Sequence, residues 1–215
     1  MLPPQASSHP VTVGNTRKPV LEDLPRLPYV QAIIKEVHRW RPTVPMAPPH
    51  ASLEEINYAG YRIPAGTTIF TNTWGMSHDP DIYDRPESFW PDRWIRHEFG
   101  LKAEAEDLKT TPTWFGMGRR VCPGIHLANN SPAINALNLL WAFEFSPELD
   151  EHTGEPVKVD VDDFEEGFAL APKPFKCNIS PRSSCHAEII EQEFSAARHI
   201  FEQYERHGFN EDSIV

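Results

Sequence analysis

The stretch Trp114–Ala128, "WFGMGRRVCPGIHLA", decides the reading of this chain. It sets Cys122 after Arg119 and Arg120, and before a Pro123-Gly124 step and an apolar, helix-like run. A thiol just ahead of a helix start lies near unpaired backbone N–H groups and the positive end of the helix dipole. The two arginines add positive charge. Together these effects favour thiolate, the form that ligates metal or attacks electrophiles. Gly116, Gly118 and Gly124 remove side chains at three points, so backbone can approach a flat partner closely. Taken alone, Cys122 fits three roles: a small buried hydrophobe, a nucleophile that needs a histidine and a carboxylate, or a metal ligand.

Outward from the cysteine, the apolar run "AINALNLLWAFEF" predicts the body of a helix, with Pro123 suited to its first turn. Pro132 falls inside that helix, where a proline loses a hydrogen bond; the expectation is a kink or restart near Ser131. Upstream, Leu27, Val30, Ile33, Ile34, Val37 and Trp40 recur at helical steps, and Pro42 should end that helix. Residues 56–73 alternate Tyr, Ile and Thr around Gly60 and a Pro64-Ala65-Gly66 turn, predicting two or three short strands. "SHDPDIYDRPESFWPDRW" is too proline-rich for a long helix or a central strand, so it reads as an ordered connection pinned by aromatics. Residues 96–110 read as a charged, exposed insertion and 156–180 as extended. Residues 186–207 read as an amphipathic helix with Ile190, Phe194, Ala197, Phe201 and Tyr204 as its buried stripe.

The composition excludes several classes. A net charge of −11 makes nucleic acid a poor partner. Three cysteines, Cys122, Cys177 and Cys185, without paired spacing argue against a disulfide framework and for a reducing compartment. No window is long and apolar enough for a membrane span, and the N-terminal residues lack a signal-peptide pattern, so the chain by itself reads as soluble. Its 22 prolines favour short elements joined by stiff connections.

The pattern Phe115-x-x-Gly118-x-Arg120-x-Cys122-x-Gly124 resembles the haem-binding loop of the cytochrome P-450 family. Five fixed positions at roughly 5% each match by chance about once in three million starts. Two companions stand in family order. Glu36-Val37-His38-Arg39 resembles the upstream Glu-x-x-Arg, and Pro86-Glu87-Ser88-Phe89-Trp90-Pro91-Asp92-Arg93 resembles Pro-x-x-Phe-x-Pro-x-Arg. Smaller likenesses are "GYRIPAGTTI" to a hairpin, "HDPDIYDRPESFWPDRW" to the meander before the haem loop, and "APKPFKCNISPRS" to a late hairpin of fungal members.

The resemblance covers about residues 15–185 and implies an α+β, mainly α fold: the C-terminal portion of a fungal-type member. Residues 1–24 would be an extended arm, 25–185 the family domain, and 186–215 a terminal helix and tail. It implies that Cys122 is the axial thiolate of haem iron, that Arg120 pairs with a haem propionate, and that Phe115 packs beside the sulfur, limiting water. Gly118 and Gly124 would complete the cofactor loop. Glu36, Arg39 and Arg93 would form a brace locking the connection to that loop. His50, eleven residues after Arg39, is either a second propionate contact or a strand-edge histidine. Cys177, His78 and His126 would have structural or packing roles.

The implied function is insertion of one oxygen atom into a small organic substrate. An NADPH-dependent flavoprotein reductase would supply electrons, and full-length relatives would sit at the endoplasmic reticulum membrane, facing the cytosol. Family members are much longer, however, and only 35 residues precede Glu36. The membrane anchor, the distal central helix and its proton-delivering acid/alcohol pair have no counterpart here, so no catalytic residue is assigned. Two rivals follow: a remnant or interaction module without haem turnover, and a redox-active thiol protein without haem.

Overall fold

The computed structural model describes residues 14–108, 114–165 and 167–205. The arm residues 1–13, residues 109–110 of the charged segment, and the tail 206–215 lie outside them. The described residues form five α-helices, three short 3-10 segments and three two-stranded antiparallel sheets. The helices are α1 (Pro28–Trp40), α2 (Thr73–Ser77), α3 (Arg93–Arg96), α4 (Ile125–Ala142) and α5 (Ser184–Glu205). The strands are β1 (His50–Ala51), β2 (Ile56–Tyr58), β3 (Tyr61–Ile63), β4 (Thr68–Ile69), β5 (Phe143–Pro147) and β6 (Cys177–Pro181).

Helix α1 starts with Pro28 at its first position, where the missing N–H is no loss, and stops at Trp40, ahead of Pro42. Its Leu27 and Val30 pack with Leu137 of α4 into the main apolar cluster, with Leu24, Ile34, Ile134 and Leu140 around it. Burial of a leucine the size of Leu137 contributes about 1.5–3 kcal/mol. The predicted apolar stripe is only part of what α1 buries. Val37 is 48% exposed, whereas Glu36 and Arg39 are at 0%. The polar side of this helix is its deepest side.

The predicted strands at 56–73 are present. β2 and β3 are joined by Ala59 and Gly60, both with positive φ, the geometry that follows the right-handed twist of a tight hairpin. β1 pairs with β4, opposing His50 to Ile69.

Several expectations need correction. The last residues of the supposed extended arm turn into a 3-10 segment, Leu21–Arg26, because Asp23 is buried and accepts from the Val20 amide and from Arg17 and Arg26. The charged 96–110 segment is not a free insertion: Leu101 and Ala105 are buried against Tyr83 with Ile82 and Phe99. "AINALNLLWAFEF" is not helical throughout, since Phe143–Phe145 belong to β5. The partner of β6 is β5, with Phe145 opposite Ile179, rather than a local hairpin strand. Among the described residues, 156–172 contribute only single bridges, Leu149 to Pro156 and Phe164 to Pro172.

No restart occurs at Ser131: α4 is helical from Ile125 through Pro132 to Ala142. Ala133, Leu137 and Trp141 are buried downstream of the proline, and the Trp141 indole donates to the Gly14 carbonyl at 2.8 Å. That packing fixes the helix despite the lost bond.

The stripe expected on α5 is likewise not buried. Phe194, Phe201 and Tyr204 are all exposed, because α5 is anchored through its first turns, where His186 packs on Trp141 and the Cys185 thiol donates to the Asn15 carbonyl.

Pro132 is exposed and touches no core, so replacing it restores a helical donor at no packing cost. Pro132→Ala is expected to raise stability by about 1–3 kcal/mol in urea unfolding; a loss would show that the proline shapes α4 productively.

Candidate functional site

Glu36 accepts five N–H groups. Arg39 donates Nε to Oε2 and Nη2 to Oε1, both at 2.9 Å. Arg93 Nε reaches Oε1 at 3.2 Å, the Trp90 amide reaches Oε1 at 2.7 Å, and Trp94 Nε1 reaches Oε2 at 2.9 Å. Arg39 spends its remaining donors on the carbonyls of Ser77 and Pro86, each at 2.8 Å, and of Ser88 at 3.1 Å. Arg93 donates to the carbonyls of Asp84 and Arg85. Two guanidiniums face one carboxylate, leaving one excess positive charge in the interior. Those five carbonyls solvate it, and the rings of Tyr83 and Trp90 lie 5.1–5.8 Å from the guanidinium carbons. Burial pushes the Arg93 guanidinium pKa down and the Tyr83 phenol pKa up. The structure thus brings Glu36, Arg39 and Arg93 into one buried cluster spanning α1, the meander and α3.

The cysteine loop begins beside this cluster. The Trp114 ring meets the Trp94 ring edge-on at 6.0 Å, while Trp94 donates to Glu36. After Phe115 the chain turns through Gly116 (φ +73°) and Gly118 (φ +66°), left-handed conformations that favour glycine. A 3-10 turn, Gly118–Arg120, then carries the chain to Cys122, whose amide donates to the Phe115 carbonyl at 2.8 Å. That bond pins the two ends of the loop together. Gly124 caps α4, so the thiol precedes the helix start by three residues, and Pro123, expected in the first helical turn, lies in the turn ahead of it. Cys122 is half-buried and free, Arg119 and Arg120 are exposed, and a Cβ at Gly118 would meet open space.

His50 lies exposed on β1, in the strand-edge setting. His78 is buried, stacks on Trp74 at 4.2 Å and pairs with the Trp74 carbonyl at 3.0 Å. His126 is exposed on α4 and Cys177 exposed on β6, so neither fills a core. Sequence reasoning missed Trp94 and Trp90 as partners of Glu36. Their signal was adjacency, since both flank the Pro91-Asp92-Arg93 end of the motif. It also missed His38, which packs against Trp114 and Phe115.

Residues 9–179 match the sequence profile of the cytochrome P-450 family. The chain belongs to the cytochrome P-450 family. It is 43% identical over 195 residues to a cytochrome P-450 monooxygenase of Armillaria gallica, covering 90% of this chain and 38% of the relative. It is 44% identical over 198 residues to another of Aspergillus niger, covering 89% and 37%. A zebra fish cytochrome P-450 solved with abiraterone superposes with a TM-score of 0.64 at 32% identity, over 79% of this chain and 36% of that one. The chain therefore spans well under half the length of these P-450 relatives. The family is haem-dependent, and its fungal members here are monooxygenases. No helix among the described residues is long and apolar enough to cross a membrane.

Removing Glu36 from this P-450 chain strands two buried guanidiniums. Glu36→Ala is expected to cost about 3–5 kcal/mol in urea unfolding, with Arg39→Lys also strongly destabilising because an ammonium cannot reproduce five planar donors. A loss below about 1 kcal/mol for Glu36→Ala would mark the cluster as an ordinary surface pair.

Burial lowers the pKa of both His38 and His78 below 6.5. The unfolded chain therefore takes up these protons first, and stability falls as pH drops below 6.5 through the folded values. The urea midpoint is expected to decline between about pH 7.5 and about pH 5, less steeply in His38→Phe/His78→Phe; an unchanged slope in the double variant contradicts this.

Proposed function

We propose that Cys122 is the thiolate ligand that would hold a haem iron, and that the chain is the haem-loop portion of a cytochrome P-450 monooxygenase. One observation carries this reading. The half-buried, free thiol of Cys122 is held on a loop whose ends are tied at 2.8 Å, next to the buried Glu36 cluster. The residues present fit the group. A thiolate is a soft ligand suited to iron, and left-handed Gly118 leaves the loop open where a flat ring must approach. When bound, haem supplies the redox-active iron at which one oxygen atom of O2 is inserted into an organic substrate.

The residues of this chain prepare that chemistry. Phe115, whose carbonyl accepts from the Cys122 amide, is the proposed screen of the sulfur against water. Arg120, exposed on the loop, offers its guanidinium to a propionate, and His50 on β1 is the proposed second contact. Gly118 and Gly124 keep the approach clear. Electrons come from an NADPH-dependent flavoprotein reductase, the substrate is a small organic molecule, and the whole enzyme works at the cytosolic face of the endoplasmic reticulum.

The test is reconstitution of the 215-residue chain with haem, reduction, and addition of carbon monoxide. A thiolate-type Soret band is expected, lost in Cys122→Ala and kept in Cys177→Ser and Cys185→Ser. Absence of that band in the unsubstituted chain, or its survival in Cys122→Ala, overturns the proposal.

A further inference from the structure

His38 stands between the two brace positions on α1, yet neither brace residue bonds it. Its ring lies parallel to Trp114, 6.0 Å between centroids and 16° between planes, and meets Phe115 edge-on at 5.3 Å. Its Nε2 is buried with no hydrogen-bond partner. A buried nitrogen without a partner destabilises, so hydrogen bonding is not what this residue contributes at that atom. What it contributes is a flat face. Trp114 is held between His38 on one side and Trp94 on another, and Trp94 is itself fixed by its bond to Glu36. Phe115 is then set by His38 through its ring and by Cys122 through its carbonyl.

We infer that His38 is the positioning residue of the cysteine loop. Its ring is the wall on which Trp114 and Phe115 seat, and through the Phe115 carbonyl it sets where the Cys122 backbone lies. This rests on Cys122 being the functional residue of the loop, but the seating belongs to the chain itself and is measurable without haem. The flat ring does the seating and Nε2 does not. The two are separable, because phenylalanine keeps the ring and removes the unpaired nitrogen.

The experiment is residue-resolved hydrogen exchange on the haem-free 215-residue chain, with the Leu137 amide of the α1–α4 core as reference. His38→Ala is expected to speed exchange of the Cys122 amide roughly tenfold relative to Leu137, the scale of a lost aromatic contact. Alkylation of Cys122 by iodoacetamide, followed by peptide mass, should rise in step while the already exposed Cys177 does not change. His38→Phe should restore both readouts and raise the melting temperature.

Unchanged Cys122 exchange in His38→Ala overturns the inference, as does equal acceleration at Cys122 and Leu137, or failure of phenylalanine to restore the loop. Should His38→Ala not fold, His38→Leu against His38→Phe carries the test. Leucine is expected to loosen Cys122 and phenylalanine not, and identical exchange in the two overturns it. A loop that loosens as stated in a chain that binds no haem would sink the proposed function and leave this inference standing.

Discussion

The carboxylate of Glu36 is the constraint on which this structure depends. A carboxylate at 0% exposure is tolerable only if nearly every lone pair is met, and five N–H groups meet it here. The arginines it holds do a second job. The meander from Ser77 to Arg93 has little regular structure, so its carbonyls need donors from elsewhere. Arg39 and Arg93 supply them to Ser77, Asp84, Arg85, Pro86 and Ser88. Two side chains thereby replace the backbone ladder that this proline-rich segment cannot form.

From that cluster, order passes to the cysteine loop through aromatic contacts. Trp94 bonds Glu36 and meets Trp114, Trp114 leads into Phe115, and the Phe115 carbonyl receives the Cys122 amide. A cofactor ligand on a loop has to be held by what surrounds it, since a loop does not fix itself. In this P-450 chain the support is one buried ion cluster and a short run of rings. Left-handed Gly118, where a Cβ would meet open space, then gives the loop its open side.

Much of this was legible in the sequence. The three motifs carried the family and the buried ion cluster, because such a cluster and a tight glycine loop need fixed residue types at fixed spacing. Periodicity was less informative. It ranks faces by hydropathy, so it favoured Val37 over Glu36 and Arg39, although the carboxylate and guanidinium are buried and the valine is not. The same logic buried the Phe194 and Phe201 stripe of α5, but an apolar stripe states only that a face could be covered. The restart expected at Pro132 failed for a different reason: downstream packing of Ala133, Leu137 and Trp141 outweighs one lost helical bond. His38 had no signal of its own, since its partners lie some 76 residues away, at Trp114 and Phe115.

The central claim is that this braced loop presents the Cys122 sulfur to haem iron. X-ray absorption at the iron edge of the haem-reconstituted ferric chain measures that bond directly. The account predicts one sulfur neighbour of iron, absent in Cys122→Ala. Iron surrounded by nitrogen and oxygen alone in the unsubstituted chain would contradict it.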